Sequence, residues 1–368
     1  MRHAKRVILI VLDGFGAGET EDAHQFGDEG AYTSRHILEK HPEIKAPFLL
    51  SHGLLSSSHS DFLVPEHPNK DTLSGLYELM GLVFPKLPTF PKGFPASDIN
   101  NLEILLHRNI IGNYPASGTQ IIQALGPQHM SSSDLIVYTS SDSVFQIAAH
   151  QEVIALSQLY YYCSLVRNYF HESNPIGRII ARPFVGSEQL GFIRTPNRKD
   201  FPYIPPQKHL LHFLQQKDIQ LFGNRVIENM FPNLLNFLIE GLDDISCLHK
   251  LISLLSTSSD LPALYFVDLE DLDMLYGHRR DVPAYASALE QIDPLLATIE
   301  NLLSKDDMLI ITADHGNDPS FMHHTDHTRE NVPYLILEHK KSIRKGKVHG
   351  MHWISDLIRN FYQTDDAS

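Results

Sequence analysis

Cysteine is nearly absent: Cys163 and Cys247 are the two thiols in 368 residues. So small a number excludes a disulfide framework and thiolate metal sites, and it fits a reducing compartment, expected to be the cytoplasm. No apolar run approaches the length that spans a bilayer. The run Val7 to Leu12, although preceded by basic residues, is too short for a signal peptide's hydrophobic region and no cleavage site follows it. A membrane partner is therefore not expected. Basic excess is lacking too, with 30 Lys and Arg against 44 Asp and Glu and a formal net charge of −14. That balance offers no stripe for a phosphate backbone and argues against nucleic acid. Against this acidic background, a local cluster of arginines reads as an anion site. No low-complexity tract or internal repeat occurs, and the length suits two or three domains. Nothing in the sequence fixes an oligomeric state.

Histidine, by contrast, is abundant at 22. The stretch Ala313 to Arg329 alone holds three aspartates and four histidines. It follows a short apolar run, "DMLIITA" (Asp307 to Ala313), and two similar runs are "VILIVL" (Val7 to Leu12) and "ALYFVDL" (Ala263 to Leu269). Runs of this length, apolar on both faces and rich in β-branched residues, predict central strands of a parallel sheet. Acidic residues stand at or just beyond their ends, where α/β sheets place their ligands. Between the second and third runs, apolar residues at 285, 289, 292, 296, 299 and 303 predict a crossover helix, which Pro294 should kink or split.

Two proline-dense stretches, Phe84 to Pro95 and Lys199 to Lys208, read as stiff linkers. The segment between them carries its own strand and helix patterns. The expected division is therefore residues 1–94 and 208–368 as one domain, with residues 95–207 inserted into it.

Asp13, Asp273, His278, Asp314, His315 and His327 form a mixed oxygen and nitrogen set suited to two divalent ions such as Mn²⁺ or Zn²⁺ rather than Ca²⁺. Singly, each has a plainer reading, since an Asp after a strand is often a helix cap and a lone His is usually surface or satisfied core. Their recurrence at successive strand ends favours the metal reading.

The stretches "VLDGFGAGETEDA", "NKDTLSGLYELMG", "GNYPASGTQII", "VYTSSDSVFQIAAH", "GRIIARPFVG", "DMLYGHRRD" and "ADHGND…TDHTRE" resemble, in order, the phosphopentomutases of the alkaline phosphatase superfamily. The match runs from Asp13 to Glu330. The resemblance implies an α/β fold: an alkaline-phosphatase-like core with a central, mostly parallel sheet flanked by helices, and an inserted α+β cap for the sugar phosphate. It implies that Asp13, Asp314 and His315 hold one ion with the nucleophile, and Asp273, His278 and His327 the other. Mn²⁺ is the expected metal. Thr72 would be the nucleophile, although its place before "LSGLYELMG" also suits a helix N-cap. In the cap, Asp142, Arg178 and Arg194 would bind the sugar phosphate, with Arg182 and Arg198 as possible support. Arginine forks suit phosphate, yet most arginines make surface ion pairs.

The implied activity interconverts ribose 1-phosphate and ribose 5-phosphate, or their 2-deoxy forms, through phosphothreonine. A sugar 1,5- or 1,6-bisphosphate would prime it, and the partner would be a small pentose phosphate. Three departures stand against the family pattern. Leu76 replaces a histidine four residues after Thr72. Asn224 replaces a lysine, and Arg225 beside it is possible support that would replace the charge. The loop before His327 is one residue longer and carries His323 and His324 as rival ligands. A metal-dependent phosphatase or phosphodiesterase, a mutase of altered sugar-phosphate specificity, and a structural metal site are the alternatives.

Overall fold

The computed structural model describes residues 5–140, 143–170, 175–205, 207–257, 261–338, 341–342 and 348–363. The chain divides into two compact units, Met1–Pro85 with Pro206–Ser368, and Lys86–Pro205.

The first unit is organised by a seven-stranded sheet. Its strands are β1 (Arg6–Leu12), β2 (Gln220–Gly223), β3 (Phe237–Leu238), β4 (Ala263–Leu269), β5 (Asp307–Thr312), β6 (Leu335–Glu338) and β7 (Lys341–Ser342). Their spatial order is β3-β2-β4-β1-β5-β6-β7. The first five in that row are mutually parallel, and β6 and β7 add antiparallel at one edge. β1, β4 and β5 are buried along their described length apart from Arg6, which explains why their sequences are apolar on both faces. Val11 of β1 lies in register with Asp268 of β4 and with Thr312 of β5. The carboxyl ends of the three central strands are therefore level; Asp13 follows β1 directly and Asp314 follows β5 after Ala313.

Two helices bear on the site. α1 (Thr72–Leu79) is capped by Asp71, whose carboxylate accepts the Ser74 N–H. Its packing depends on Gly75: a Cβ there would lie 2.3 Å from the Asp314 carbonyl oxygen. α2 (Val282–Leu302) connects β4 to β5. Pro294 does not split it; the helix runs unbroken. Interior proline costs about 3 kcal/mol, and the buried face Tyr285, Leu289, Ile292, Leu296 and Ile299 offsets that.

The second unit is α+β. Strands Ile110–Pro115, Leu135–Thr139, Val144–His150, Arg178–Ser187 and Gly191–Arg194 form a mixed sheet in that order, and Lys199–Pro202 pairs with the start of the fourth. Alternate residues serve opposite faces. Val137, Phe145 and Ile147 join one apolar cluster, whereas Ile136, Tyr138 and Ala148 join another. The proline stretches differ from plain linkers. Phe90 and Phe94 are buried in this unit's core, and Lys199–Pro202 is a strand. Aromatic side chains between the prolines find apolar partners that an exposed linker would lack.

Gly75→Ala should destabilise the fold by about 1–3 kcal/mol, the usual cost of overpacking, read as a lower urea midpoint. An unchanged midpoint would show that α1 does not need its close approach to Asp314.

Candidate functional site

Three loops leaving the carboxyl ends of β1, β4 and β5 build the site. After β4 the chain enters a π-helical stretch, Leu272–Gly277, in which the His278 N–H donates to the Asp273 carbonyl. That five-residue hydrogen bond stacks residues five apart on one face. It is why Asp273 and His278 meet at a spacing that an α-helix would splay. His278 Nε2 lies 3.2 Å from Asp273 Oδ2, and His327 Nε2 lies 3.6 Å from Asp273 Oδ1. Beyond β5, His315 Nε2 is 3.3 Å from Asp13 Oδ1, 3.2 Å from Asp314 Oδ2 and 3.2 Å from Thr72 Oγ1. The His327 ring centre is 4.1 Å from that of His315 and 4.7 Å from that of His278. All six candidate ligands and Thr72 thus converge.

The histidines are oriented alike. His278 Nδ1 faces the Thr325 carbonyl at 2.6 Å, His327 Nδ1 the Lys70 carbonyl at 2.7 Å, and His315 Nδ1 the Gly316 carbonyl at 3.1 Å. A carbonyl oxygen only accepts, so each Nδ1 carries its proton and each Nε2 turns toward carboxylate oxygens. That is the tautomer metal-ligating histidines take. Two of the carboxylate oxygens lack hydrogen-bond partners: Asp13 Oδ1 and Asp314 Oδ2 are buried with none. Ligand atoms of Asp273, His278 and His327, and separately of Asp13, Asp273 and His315, lie within 4.8 Å of one another. Buried carboxylates facing imidazole nitrogens at these distances fit divalent cations between them.

Thr72 is the first residue of α1, and the N-cap role falls to Asp71. Its hydroxyl donates to His315 Nε2. Of the rival histidines, His324 Nε2 is 2.6 Å from Asp28 Oδ1 and His323 is exposed; the intact "TDHTRE" motif brings His327 to Asp273. That motif also braces the site. Arg329 donates to Asp22 and to the carbonyls of Pro65, His67 and Asn69, fixing the loop before Thr72. Glu330 takes both the N–H and the hydroxyl of Thr33.

Three participants escape a reading of the sequence. Asn317 donates to Asp273 Oδ1 at 2.6 Å, and its own N–H donates to the Gly14 carbonyl. Glu330 is the second. Asp268 is fully buried at the penultimate position of β4, with neither carboxylate oxygen hydrogen-bonded. A lone charge inside an otherwise apolar strand is the signal that could have found it. Asn224 caps the helix Arg225–Met230 and donates to the Asp268 carbonyl at 2.6 Å. Arg225 is exposed on that helix, and Leu76 is fully buried in α1.

In the second unit, Asp142 lies outside the described residues. Arg198 grips the buried Asp200 with two hydrogen bonds, at 2.7 and 2.8 Å, while Arg178 stands 3.8 Å from it. Arg182 donates to Gln146 at 3.0 Å, and burial holds its pKa down to about 10. Arg194 is exposed.

A metalloenzyme-superfamily model matches residues 240–366. The phosphopentomutase of Caldanaerobacter subterraneus subsp. tengcongensis is 41% identical over 367 residues, covering 94% of this chain and 90% of that protein. The chain belongs to the phosphopentomutase family. It is accordingly an isomerase that transfers a phosphoryl group, built on the metal-binding α/β core of the alkaline phosphatase superfamily. Among solved structures, the Leishmania mexicana phosphoglycerate mutase aligns over 98% of this chain and 95% of that one, with 12% identity and a TM-score of 0.50. That likeness is one of fold. The PH0037 protein of Pyrococcus horikoshii aligns over 98% and 97% at 12% identity, with a TM-score of 0.47.

The candidate site has a testable electrostatic signature. Burial, with the Asp273 charge beside it, pushes Asp314 up to about 7. Burial alone would lower His327, but Asp273 outweighs it and lifts the imidazole to about 9. Both folded values exceed the unfolded ones, 3.8 and 6.5. The metal-free fold therefore holds extra protons, and their contribution to stability is lost as pH rises through about 7 and then about 9. A divalent ion competes with those protons. The rise in Tm on adding Mn²⁺ to chelated protein should grow steadily from pH 5 to pH 8; a constant rise would contradict this assignment.

Proposed function

We propose that this phosphopentomutase interconverts ribose 1-phosphate and ribose 5-phosphate, or their 2-deoxy forms, through a phosphorylated Thr72. The observation that carries the proposal is the Thr72 hydroxyl lying 3.2 Å from His315 Nε2, beside the buried carboxylates of Asp13 and Asp314. Asp13, Asp314 and His315 would hold one ion and Asp273, His278 and His327 the other, with Mn²⁺ as the resident metal. Bound there, the ions would supply positive charge for the phosphoryl oxygens and make the Thr72 hydroxyl more acidic.

The chain's own residues do the rest. Asp71 caps α1 and so fixes where Thr72 projects. Phospho-Thr72 passes its phosphoryl group to the free hydroxyl of the pentose phosphate, forming a 1,5-bisphosphate. The opposite phosphate then returns to Thr72 and the isomer leaves. A sugar 1,5- or 1,6-bisphosphate would prime the threonine. Arg178 and Arg194 would bind the phosphate not undergoing transfer, with Asp142 on the ribose hydroxyls. The hydrogen bonds of Arg182 to Gln146 and of Arg198 to Asp200 support bracing roles for those two. Water must be kept from phospho-Thr72, or the enzyme becomes a phosphatase. The buried free thiols Cys163 and Cys247 support a reducing, cytoplasmic setting.

The decisive assay supplies ribose 1-phosphate, Mn²⁺ and a trace of sugar bisphosphate, following ribose 5-phosphate and free phosphate together. Ribose 5-phosphate without free phosphate supports the mutase; free phosphate as the main product makes the hydrolase reading correct. Thr72→Ala should cost at least about a thousandfold in turnover, as loss of a nucleophile does, and should abolish phosphate incorporation seen by mass spectrometry. Arg194→Ala should raise KM more than it lowers kcat, because phosphate anchoring acts on ground and transition states alike. A pure kcat loss would move Arg194 to the reacting phosphoryl group.

A further inference from the structure

We propose that Asp13, Asp268 and Asp314 form a third cation position beside the two ions of the proposed mechanism, taking a hard divalent ion such as Mg²⁺ or Mn²⁺. One oxygen from each of the three carboxylates lies within 4.8 Å of the others, and all three residues are buried. Asp268 is the informative member. It is fully buried, and both of its oxygens lack a hydrogen-bond partner. Register explains its direction. In a parallel sheet, paired residues face the same side, so Asp268 shares the face of Val11 and Thr312. Continuing the alternation by two residues along each neighbour gives Asp13 and Asp314. Asp268 therefore stands one step below those two carboxylates, on the strand next to the one that ends at Asp13.

Among the described residues, no lysine or arginine meets it there, and the ion pairs of Asp13 and Asp314 are with His315. The residue on its flank is the neutral Asn224, whose amide is spent on the Asp268 carbonyl and on capping the next helix. A carboxylate with two bare oxygens in a protein interior is strongly disfavoured as the anion; a divalent ion removes that cost. The donors also mark this position as distinct. The two clusters containing Asp273 each include histidine, whereas the one containing Asp268 is all oxygen, which selects a harder ion.

Equilibrium dialysis of chelated protein against Mn²⁺, with bound metal counted per chain, tests this. Three ions in the native chain and two in Asp268→Asn are expected, with the variant's circular dichroism and mutase turnover recorded alongside. Two ions in both proteins would overturn the third position and leave the two-metal reading standing, whereas a native count of none would remove both. Three ions in both would also overturn it, because Asp268 would then hold nothing. Should Asp268→Asn fail to fold, Asp268→Ser takes its place in the comparison.

Discussion

The structure turns on one electrostatic problem: several carboxylates are packed at the ends of three adjacent parallel strands with too few protein donors to satisfy them. Asp13, Asp268 and Asp314 each bury at least one oxygen that no N–H or O–H reaches. Buried charge without a partner is among the costliest things a fold can contain. Burial moves all three toward protonation. Asp273 moves the other way, since His327 and His278 outweigh its burial. The site is thus divided into an imidazole-compensated half and a half that proteins compensate with metal.

Much of the surrounding architecture is explained by holding this arrangement still. Gly14 donates its N–H to Asp314 Oδ1 and offers its carbonyl to Asn317, which in turn donates to Asp273. At φ +74° Gly14 occupies the left-handed region, open at little cost only to glycine. One turn after β1 therefore ties both halves together. Arg329 does comparable work at longer range, joining the last motif to the loop that delivers Thr72. Main-chain carbonyls set the three histidine tautomers, so the direction of each Nε2 follows from the backbone and needs no second carboxylate.

The fold was legible where one strand or one helix carried the whole signal. Apolar runs with β-branched residues predicted β1, β4 and β5 nearly to the residue, and the acids at and beyond their ends pointed to where the candidate ligands come together. What escaped depended on register or on distant partners. Asp268 looks like a blemish in "ALYFVDL" until it is known to pair with Val11, two residues short of Asp13. Asn317 and Glu330 act through contacts with residues some 300 positions earlier, such as Gly14 and Thr33. Pro294 misled because local propensity argues for a break, while burial of four helical turns argues more strongly against one. The proline-dense stretches misled similarly, since Phe90 and Phe94 anchor the first and strand pairing claims the second.

The departures from the family pattern fall into two kinds, and the structure separates them. Leu76 is buried within α1 beside Gly75, in a helix that cannot move without disturbing Asp314. Replacing an imidazole there removes a polar group but keeps the packing, so the change leaves the nucleophile's position intact. Asn224 is different, because it touches Asp268 directly. A lysine at that position would bring an ammonium close to a carboxylate that otherwise has no counter-charge. Asparagine gives the backbone its hydrogen bonds but supplies no charge, so the compensation of Asp268 has to come from the site itself. Loss of the lysine and the bare state of Asp268 are thus two sides of one electrostatic fact. At the proposed third position, a bound cation would supply that missing charge.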